Sequence, residues 1–465
     1  MAPNIGHDWA WQPIACALPR VLRRGIRNGK NKRALPGRGR DGIPEDRRLP
    51  APFWLIGLVR PQLTRVRAVP GGGDFWRLWV VGLVLFVVRW IETIAVAVFV
   101  YQRTGSALIV AGMTMLRILP MGLLGTFLGA LADRLERRTG LILIVLVSLA
   151  TTAVLALLAH FDRLAVWHLA VASLINGTGW AADNPVRRMM IGDVVGVQRM
   201  STAISIDVGS NNASRMAGPT IGGFLLATAG IAGAFSLDAA LYVIALVAAV
   251  GIRYRNNPEH RSSGQMLTRI AEGLNLARSN SRLRAILLIT IIFNVFGWPF
   301  TSMIPVIGQD NLHLGPEGIG MLASVEGIGA FAGAIAVALY ARPTQHAALY
   351  TGGLIAYLLM LTLFALAPDV VLAGLALLAT GLTGAGYSIM QTTLMYRSAP
   401  PEMRGRMLGV LATCIGTGPI GFIHLGLSAD AIGAGWATAA LGIEGLLVLA
   451  LTWPLWRVLP EKEDV

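Results

Sequence analysis

Long apolar runs, each closed by a few polar or glycine residues, follow one another along this chain from about residue 76 almost to its C-terminal end. A helix gains about 1.5 Å per residue, so crossing a hydrocarbon layer of roughly 30 Å takes about 20 apolar residues. The runs at 76–101, 107–131, 140–160, 164–186, 202–227, 231–252, 285–308, 317–340, 347–367, 370–394, 407–428 and 433–457 reach that length. They predict twelve transmembrane helices and an all-α membrane protein. Glycine recurs inside the runs, where a missing side chain lets helix backbones approach closely.

The polar breaks carry a second pattern. Arginines collect in alternate breaks: Arg134, Arg137 and Arg138; Arg187, Arg188 and Arg199; Arg253, Arg255, Arg261, Arg269, Arg278, Arg282 and Arg284; Arg342; then Arg397, Arg404 and Arg406. The other breaks hold little beyond Arg103 and Arg163. The positive-inside rule therefore places both termini in the cytoplasm. The longest break divides six runs from six. The expected organisation is a basic extension (1–73), a six-helix bundle (74–252), a cytoplasmic linker (253–283), a second six-helix bundle (284–457) and a short cytoplasmic tail (458–465).

Composition agrees with a polytopic membrane protein and removes several alternatives. Hydrophobic residues make up 54% and charged residues only 14% of the 465 positions, and mean hydropathy is +0.61; a soluble core has no such balance. The net charge of +14 is accounted for by the basic loops and extension, and no aromatic interleaving points to nucleic acid. Cys16 and Cys414 form neither a disulfide framework nor a zinc spacing, and His313 and His346 lack metal partners, so no metal or cofactor is expected. The extension has no signal-peptide pattern and reads as disordered, either touching anionic lipid through its basic run and "PFWLIGLV" or serving as a dispensable tail. Gly29-Lys30 is followed by Asn31, so no phosphate-binding loop is present and ATP-driven transport by this chain alone is not expected. The letters "GIGMLA" (318–323) imitate a dinucleotide fingerprint, yet they lie in an apolar run with no preceding strand. HExxH and GxSxG are absent, and no enzyme is expected.

Charges inside the runs are the chemical signal, because each costs about 2.5–3.5 kcal/mol at mid-bilayer while a Leu or Ile returns only about 0.3–0.6. Arg89 and Glu92 share one face of the first run, and Arg117 sits near the middle of the second. Asn176, Trp180, Asp183 and Arg187 form a polar stripe on the fourth; Asp207, Asn211 and Arg215 repeat it on the fifth. The second half is poorer: Asn294 and Trp298, Glu326, Tyr387 and Gln391, His424 and Glu444. Such groups must face protein or water, which predicts a wet gap between bundles. Glu92, Asp183, Asp207 and Glu326 are the candidate proton carriers, since burial shifts carboxyl titration. The plainer reading of each is a structural ion pair, for example Glu92 with Arg117 or Arg89. Arg89, Arg117, Asn176, Trp180, Asn211, Arg215, Asn294, Trp298, Tyr387 and Gln391 are the candidate cavity residues. Arg89 and Arg117 could instead attract an anion.

Two motifs stand at run boundaries. "GALADRLERR" (129–138) places Gly129, Asp133, Arg134, Arg137 and Arg138 at the end of the second run, where Asp133 can pair with an arginine and face the N-terminus of a helix opened by "PEMRGR", with Glu402, Arg404 and Arg406. Such a cluster is a latch between two arrangements of the halves. "GPTIGG" in the fifth run offers Gly218, Pro219, Gly222 and Gly223 as a helix bend that packs closely, with "GTGPIG" (416–421) a weaker copy. The halves echo one another in "PVRRMMIGDVVGVQRMSTA" and "LMYRSAPPEMRGRMLGV".

These segments, with "FVYQRTGSALIVAGMTMLRILP", "RMAGPTIGG" and "PPEMRGRMLGV", resemble the major facilitator superfamily over residues about 74–457, and the D-R-x-[DE]-R-R variant resembles its branch of enterobactin-type siderophore exporters and macrolide efflux pumps. Glu136 stands where the signature has glycine. The resemblance implies two pseudo-symmetric six-helix bundles with a substrate path between them, a switching role for the Asp133 loop, an exporter role for "GPTIGG", and residence in a bacterial inner (plasma) membrane. The expected function is proton-coupled export of a small amphiphilic molecule, drug or siderophore, by a monomer in the lipid bilayer. The alternatives are a lipid or lysolipid flippase, or a non-transporting membrane sensor on the same fold.

Overall fold

The computed structural model describes residues 72–134, 136–255 and 266–459, with the side chains of 124–135 and 256–271 outside the description. Expectations for the extension before residue 72 and the tail after 459 therefore lie outside the described residues, as do the side chains of Gly129, Asp133 and Arg134.

Helix follows helix without a strand among the described residues. The first half comprises α1 (Gly72–Thr104), α2 (Ala107–Arg134), α3 (Arg137–His160), α4 (Val166–Val195), and α5 and α6, which run through Val197–Val250 and are separated only by Gly230, whose φ of 65° interrupts the helical backbone. A helix of the linker, Met266–Ser279, comes next. The second half is α7 (281–310), α8 (Pro316–Tyr340), α9 (His346–Ala365), α10 (Val370–Ser398), α11 (Arg404–Ile415 continued by Gly418–Ile432) and α12 (Ala434–Leu451). Asn280 and Asp369 cap α7 and α10 by accepting the first free backbone N–H groups, which fixes where those helices begin.

α7 is not uniform: a π turn (Phe293–Gly297) and a 3-10 turn (Trp298–Ser302) interrupt it, where Pro299 has no N–H to give the ladder. α11 stops and restarts across Gly416 and Thr417, immediately before Pro419. In α5 the backbone stays helical through Pro219. The predicted fourth run ended at 186, but α4 continues to Val195. Arg187, counted above with the loop arginines, is instead fully buried inside the bundle, because two acids face it there. α4 has too little hydropathy to stand among the apolar spans; its polar face is matched by neighbouring helices.

The halves meet along two seams, α2 against α11 and α5 against α8. Both seams are glycine. A β-carbon on Gly122 would lie 3.0 Å from Gly416 Cα, and one on Gly426 would lie 2.9 Å from Leu108 Cα. On α5, Gly218 and Gly222 face Trp90 and Ile91 of α1, while Gly223 faces Pro316 and Gly320 of α8; Gly320 in turn abuts the Pro219 carbonyl. The motif thus lets α5 lie between its own half and the other one. At one end of the molecule Asp430 of α11 accepts hydrogen bonds from the Ala107 and Leu108 amides (2.7 and 3.2 Å) and Ser106 Oγ (2.8 Å), so one half caps the first turn of α2 in the other. Tyr101 donates to Asp310 beside it.

Two outcomes follow from these seams. Gly320→Ala forces α8 away from the Pro219 carbonyl and is expected to cost about 1–3 kcal/mol, whereas Gly209→Ala on α5, with nothing within 4 Å, is expected to be neutral or stabilising by up to about 1 kcal/mol; melting of the two purified variants separates them. Asp430→Ala removes the cap and should favour opening of that end by about 1 kcal/mol, roughly fivefold, read as faster thiol labelling of a cysteine placed at buried Ala111 in a chain without Cys16 and Cys414.

Candidate functional site

A cavity of about 270 Å³ lies between the halves, walled by α1, α2, α4 and α5 on one side and by α7 and α8 on the other. Of the sequence candidates, Arg89, Arg117, Trp180, Asn211, Arg215, Trp298 and Glu326 line it. Trp90, Thr93, Thr114, Ile118, Pro219, Thr301 and Ile304 complete most of the wall. Arg215 of α5 and Glu326 of α8 form an ion pair across the two halves, with Nε–Oε2 at 3.0 Å and a second bond from Nη2. Thr220 and Ser324 join the same helices one turn on (2.7 Å). The Arg89 guanidinium stacks over the rings of Trp180 (4.5 Å) and Trp90 (5.0 Å), and Arg215 approaches Trp90 from 5.6 Å.

Behind this wall sits a buried polar cluster. Glu92 pairs with Arg117, and Asn176 Nδ2 (3.3 Å to each oxygen) and Thr152 Oγ1 (3.3 Å) donate to it. Arg117 also donates to Thr93 Oγ1 (3.2 Å) and to the Arg89 carbonyl (3.4 Å). Asn176, expected in the cavity, lies in this second layer because its amide is turned to Glu92. Asp238 of α6 belongs to the same cluster: it is fully buried, lies in the field of Glu92 and Arg117, and neither oxygen has a hydrogen-bond partner among the described residues. The sequence reading passes over Asp238, although an acid in an otherwise apolar run is the signal that flags the other candidates.

Asp183 and Asp207 meet one another through Arg187. Arg187 Nε lies 3.1 and 3.2 Å from the Asp183 oxygens, and Nη1 bonds Asp207. Gly82 makes the room, since any β-carbon there would strike the guanidinium, and Phe86 covers it with its ring (4.9 Å). Both acids lie off the cavity wall, in the structural ion-pair arrangement.

The remaining candidates are elsewhere. Gln391 donates to Thr290 Oγ1 (3.0 Å) and Tyr387 OH (2.8 Å), Asn294 donates to the Thr290 carbonyl (2.8 Å), and Tyr387 stacks on Phe293 and Tyr350. Asn294, Tyr387 and Gln391 therefore lie inside the second bundle and not along the cavity, because α7, α9 and α10 satisfy their polar atoms. His424 and Glu444 pair at 2.7 Å on an exposed face of α11 and α12.

At the end opposite Asp430 a second set of polar side chains collects. Arg137 bonds Asp193 (2.5 Å), Arg138 donates to the Val250 carbonyl (2.9 Å), and Arg255 lies 3.7 Å from Glu136. Burial and the bond to Asp193 (2.6 Å) push the Tyr254 hydroxyl up to about 12, so it stays a donor at neutral pH. Arg406 pairs with Glu272 of the linker helix (2.5 Å), Arg404 stacks on Tyr396 (4.1 Å), and Glu402 opens the turn before α11.

Comparison with known proteins places this geometry. The profile of a family described as transmembrane secretion effector matches residues 72–464. Macrolide efflux protein A of Streptococcus pyogenes is 23% identical over 77% of this chain and 90% of its own length, and multidrug efflux pump Tap of Mycolicibacterium fortuitum is 27% identical over 79% and 93%. The crystal structure of a bacterial homologue of the human lysosomal transporter Spinster superposes with a TM-score of 0.67 at 15% identity, covering 84% of this chain and 98% of that one. Two six-helix halves around a central polar cavity, with a family match running through both, make this chain a multi-pass membrane transporter of the major facilitator superfamily, in its transmembrane secretion effector family.

Proposed function

We propose that the chain exports a small amphiphilic molecule, a drug or a siderophore, in exchange for protons, by alternating access in a bacterial plasma membrane with both termini in the cytoplasm. The observation that carries this reading is the Glu92–Arg117 pair at the wall of a cavity that both halves build. A proton arriving at Glu92 removes the charge that holds Arg117, so cargo contacts and protonation compete for one arginine. Asp238 is the second acid of the relay. It is buried on α6 in the field of Glu92 and Arg117, with no hydrogen bond to either oxygen among the described residues. The surroundings of the two acids are Thr93, Thr152, Asn176 and, on α6, Tyr242. Glu326, bound to Arg215 of the opposite half, is a further proton site whose neutralisation would loosen the α5–α8 seam. Asp183 and Asp207 serve as scaffold around Arg187.

The gathering of inter-half bonds at Asp430 and Asp310 supports a state closed toward the outside. The loop of Gly129, Asp133, Arg134, Arg137 and Arg138 with the Glu402–Arg406 turn is the inner latch of this reading, and Gly218, Pro219, Gly222 and Gly223 are the pivot of α5. Export is favoured over import by relatives named for macrolide and multidrug efflux. The transporting unit is a monomer.

The coupling is tested in proteoliposomes under an imposed proton gradient, with cargo chosen by growth protection of a pump-deficient host. Glu92→Gln and Asp238→Asn are expected to abolish gradient-driven accumulation while cargo exchange at equal pH continues. Undiminished uphill transport by Glu92→Gln would refute coupling through this cluster.

A further inference from the structure

We propose that the cavity holds one organic anion, a planar oxyanion on an aromatic body, with its charge against Arg89 and its rings near Trp180 and Trp298. The proposal rests on the transporter reading above and adds the charge of the cargo.

The three arginines of the wall are not equivalent. Arg117 is matched by Glu92 and Arg215 by Glu326. Arg89 has no acid and no hydrogen-bond acceptor among the described residues; two indole faces hold it instead. Asp183 is the acid whose charge reaches Arg89, yet its oxygens are taken by Arg187 Nε. A guanidinium stacked on aromatic faces keeps its N–H donors at the edge of its plane, the geometry that binds a carboxylate or a catecholate two-pronged.

The neighbours point the same way. Trp90 and Trp180 line the cavity with their rings, and their indole nitrogens are buried without an acceptor among the described residues. A guanidinium left unanswered in such a wall calls for acceptor oxygens carrying negative charge. A cationic cargo would instead meet Arg89 as an unmatched like charge. The volume of about 270 Å³ falls just under the roughly 300–1,000 Å³ of drug-sized sites, which leaves room for a two-ring body.

The test uses purified full-length protein in detergent and three probes of one shape: naphthoate, naphthylmethanol and naphthylmethylammonium, each followed by its own fluorescence. The native chain should bind naphthoate about tenfold or more tighter than the ammonium probe, with the alcohol between. Arg89→Gln should abolish that preference. Arg89→Lys should retain the sign but weaken naphthoate several-fold, since an ammonium cannot form the planar fork, and Trp180→Phe should weaken it several-fold by giving Arg89 a poorer aromatic face to stack on. No preference in the native chain, or an intact preference in Arg89→Gln, overturns the proposal. Where Arg89→Gln does not fold, unchanged naphthoate binding in both Arg89→Lys and Trp180→Phe overturns it equally. Naphthoate preference without gradient-driven export keeps the anion site and removes the coupled-transport reading; gradient-driven export of a cation without naphthoate preference does the reverse.

Discussion

A guanidinium keeps its charge inside a protein, so an arginine placed in a membrane bundle obliges the surrounding helices to answer it. This chain answers three with carboxylates from other helices: Arg117 with Glu92, Arg187 with Asp207 beside Asp183 of its own helix, and Arg215 with Glu326. Each pair fixes which faces of two helices meet, because breaking a buried pair leaves a charge uncompensated at a cost of about 3–5 kcal/mol. The bundle order around the cavity is therefore an electrostatic arrangement as much as a packing one. Among the described arginines of the cavity wall Arg89 is the exception, held by aromatic faces, and the cavity forms where the matching stops.

Motion requires that the halves be joined weakly enough to part. Their closest approaches are glycine against backbone, as at Gly122 with Gly416 and Gly320 with Pro219. Such surfaces gain dispersion from close approach without interdigitated side chains that would have to be withdrawn. Among the described residues, directional bonds across the seam are few and polar: the Asp430 cap, the Tyr101–Asp310 contact, the Arg215–Glu326 pair and the Thr220–Ser324 bond. The device read from the sequence at Asp133, an acid facing the N-terminus of a helix in the other half, is present at the opposite end of the molecule, where Asp430 meets α2. The same electrostatics can thus act as a gate at either face.

Hydrophobic run length by itself determined the number and approximate limits of the helices, because a membrane span is a one-dimensional constraint that any window of residues satisfies or fails locally. It also marked Arg89, Glu92, Arg117, Arg215 and Glu326 as unusual, since the cost of an intramembrane charge belongs to the residue. Partnership was not legible. Gln391 and Tyr387 occupy run positions as polar as those of Trp180, yet Thr290 and Tyr350 draw them into the second bundle. Arg187 reads as the first residue of a basic loop until Asp207, twenty positions on, is brought against it. Asp238 acquires meaning only beside Glu92 and Arg117. Which charges are matched and which is left facing the cavity depends on contacts between helices distant in the chain, and those are set by how the bundle closes in three dimensions.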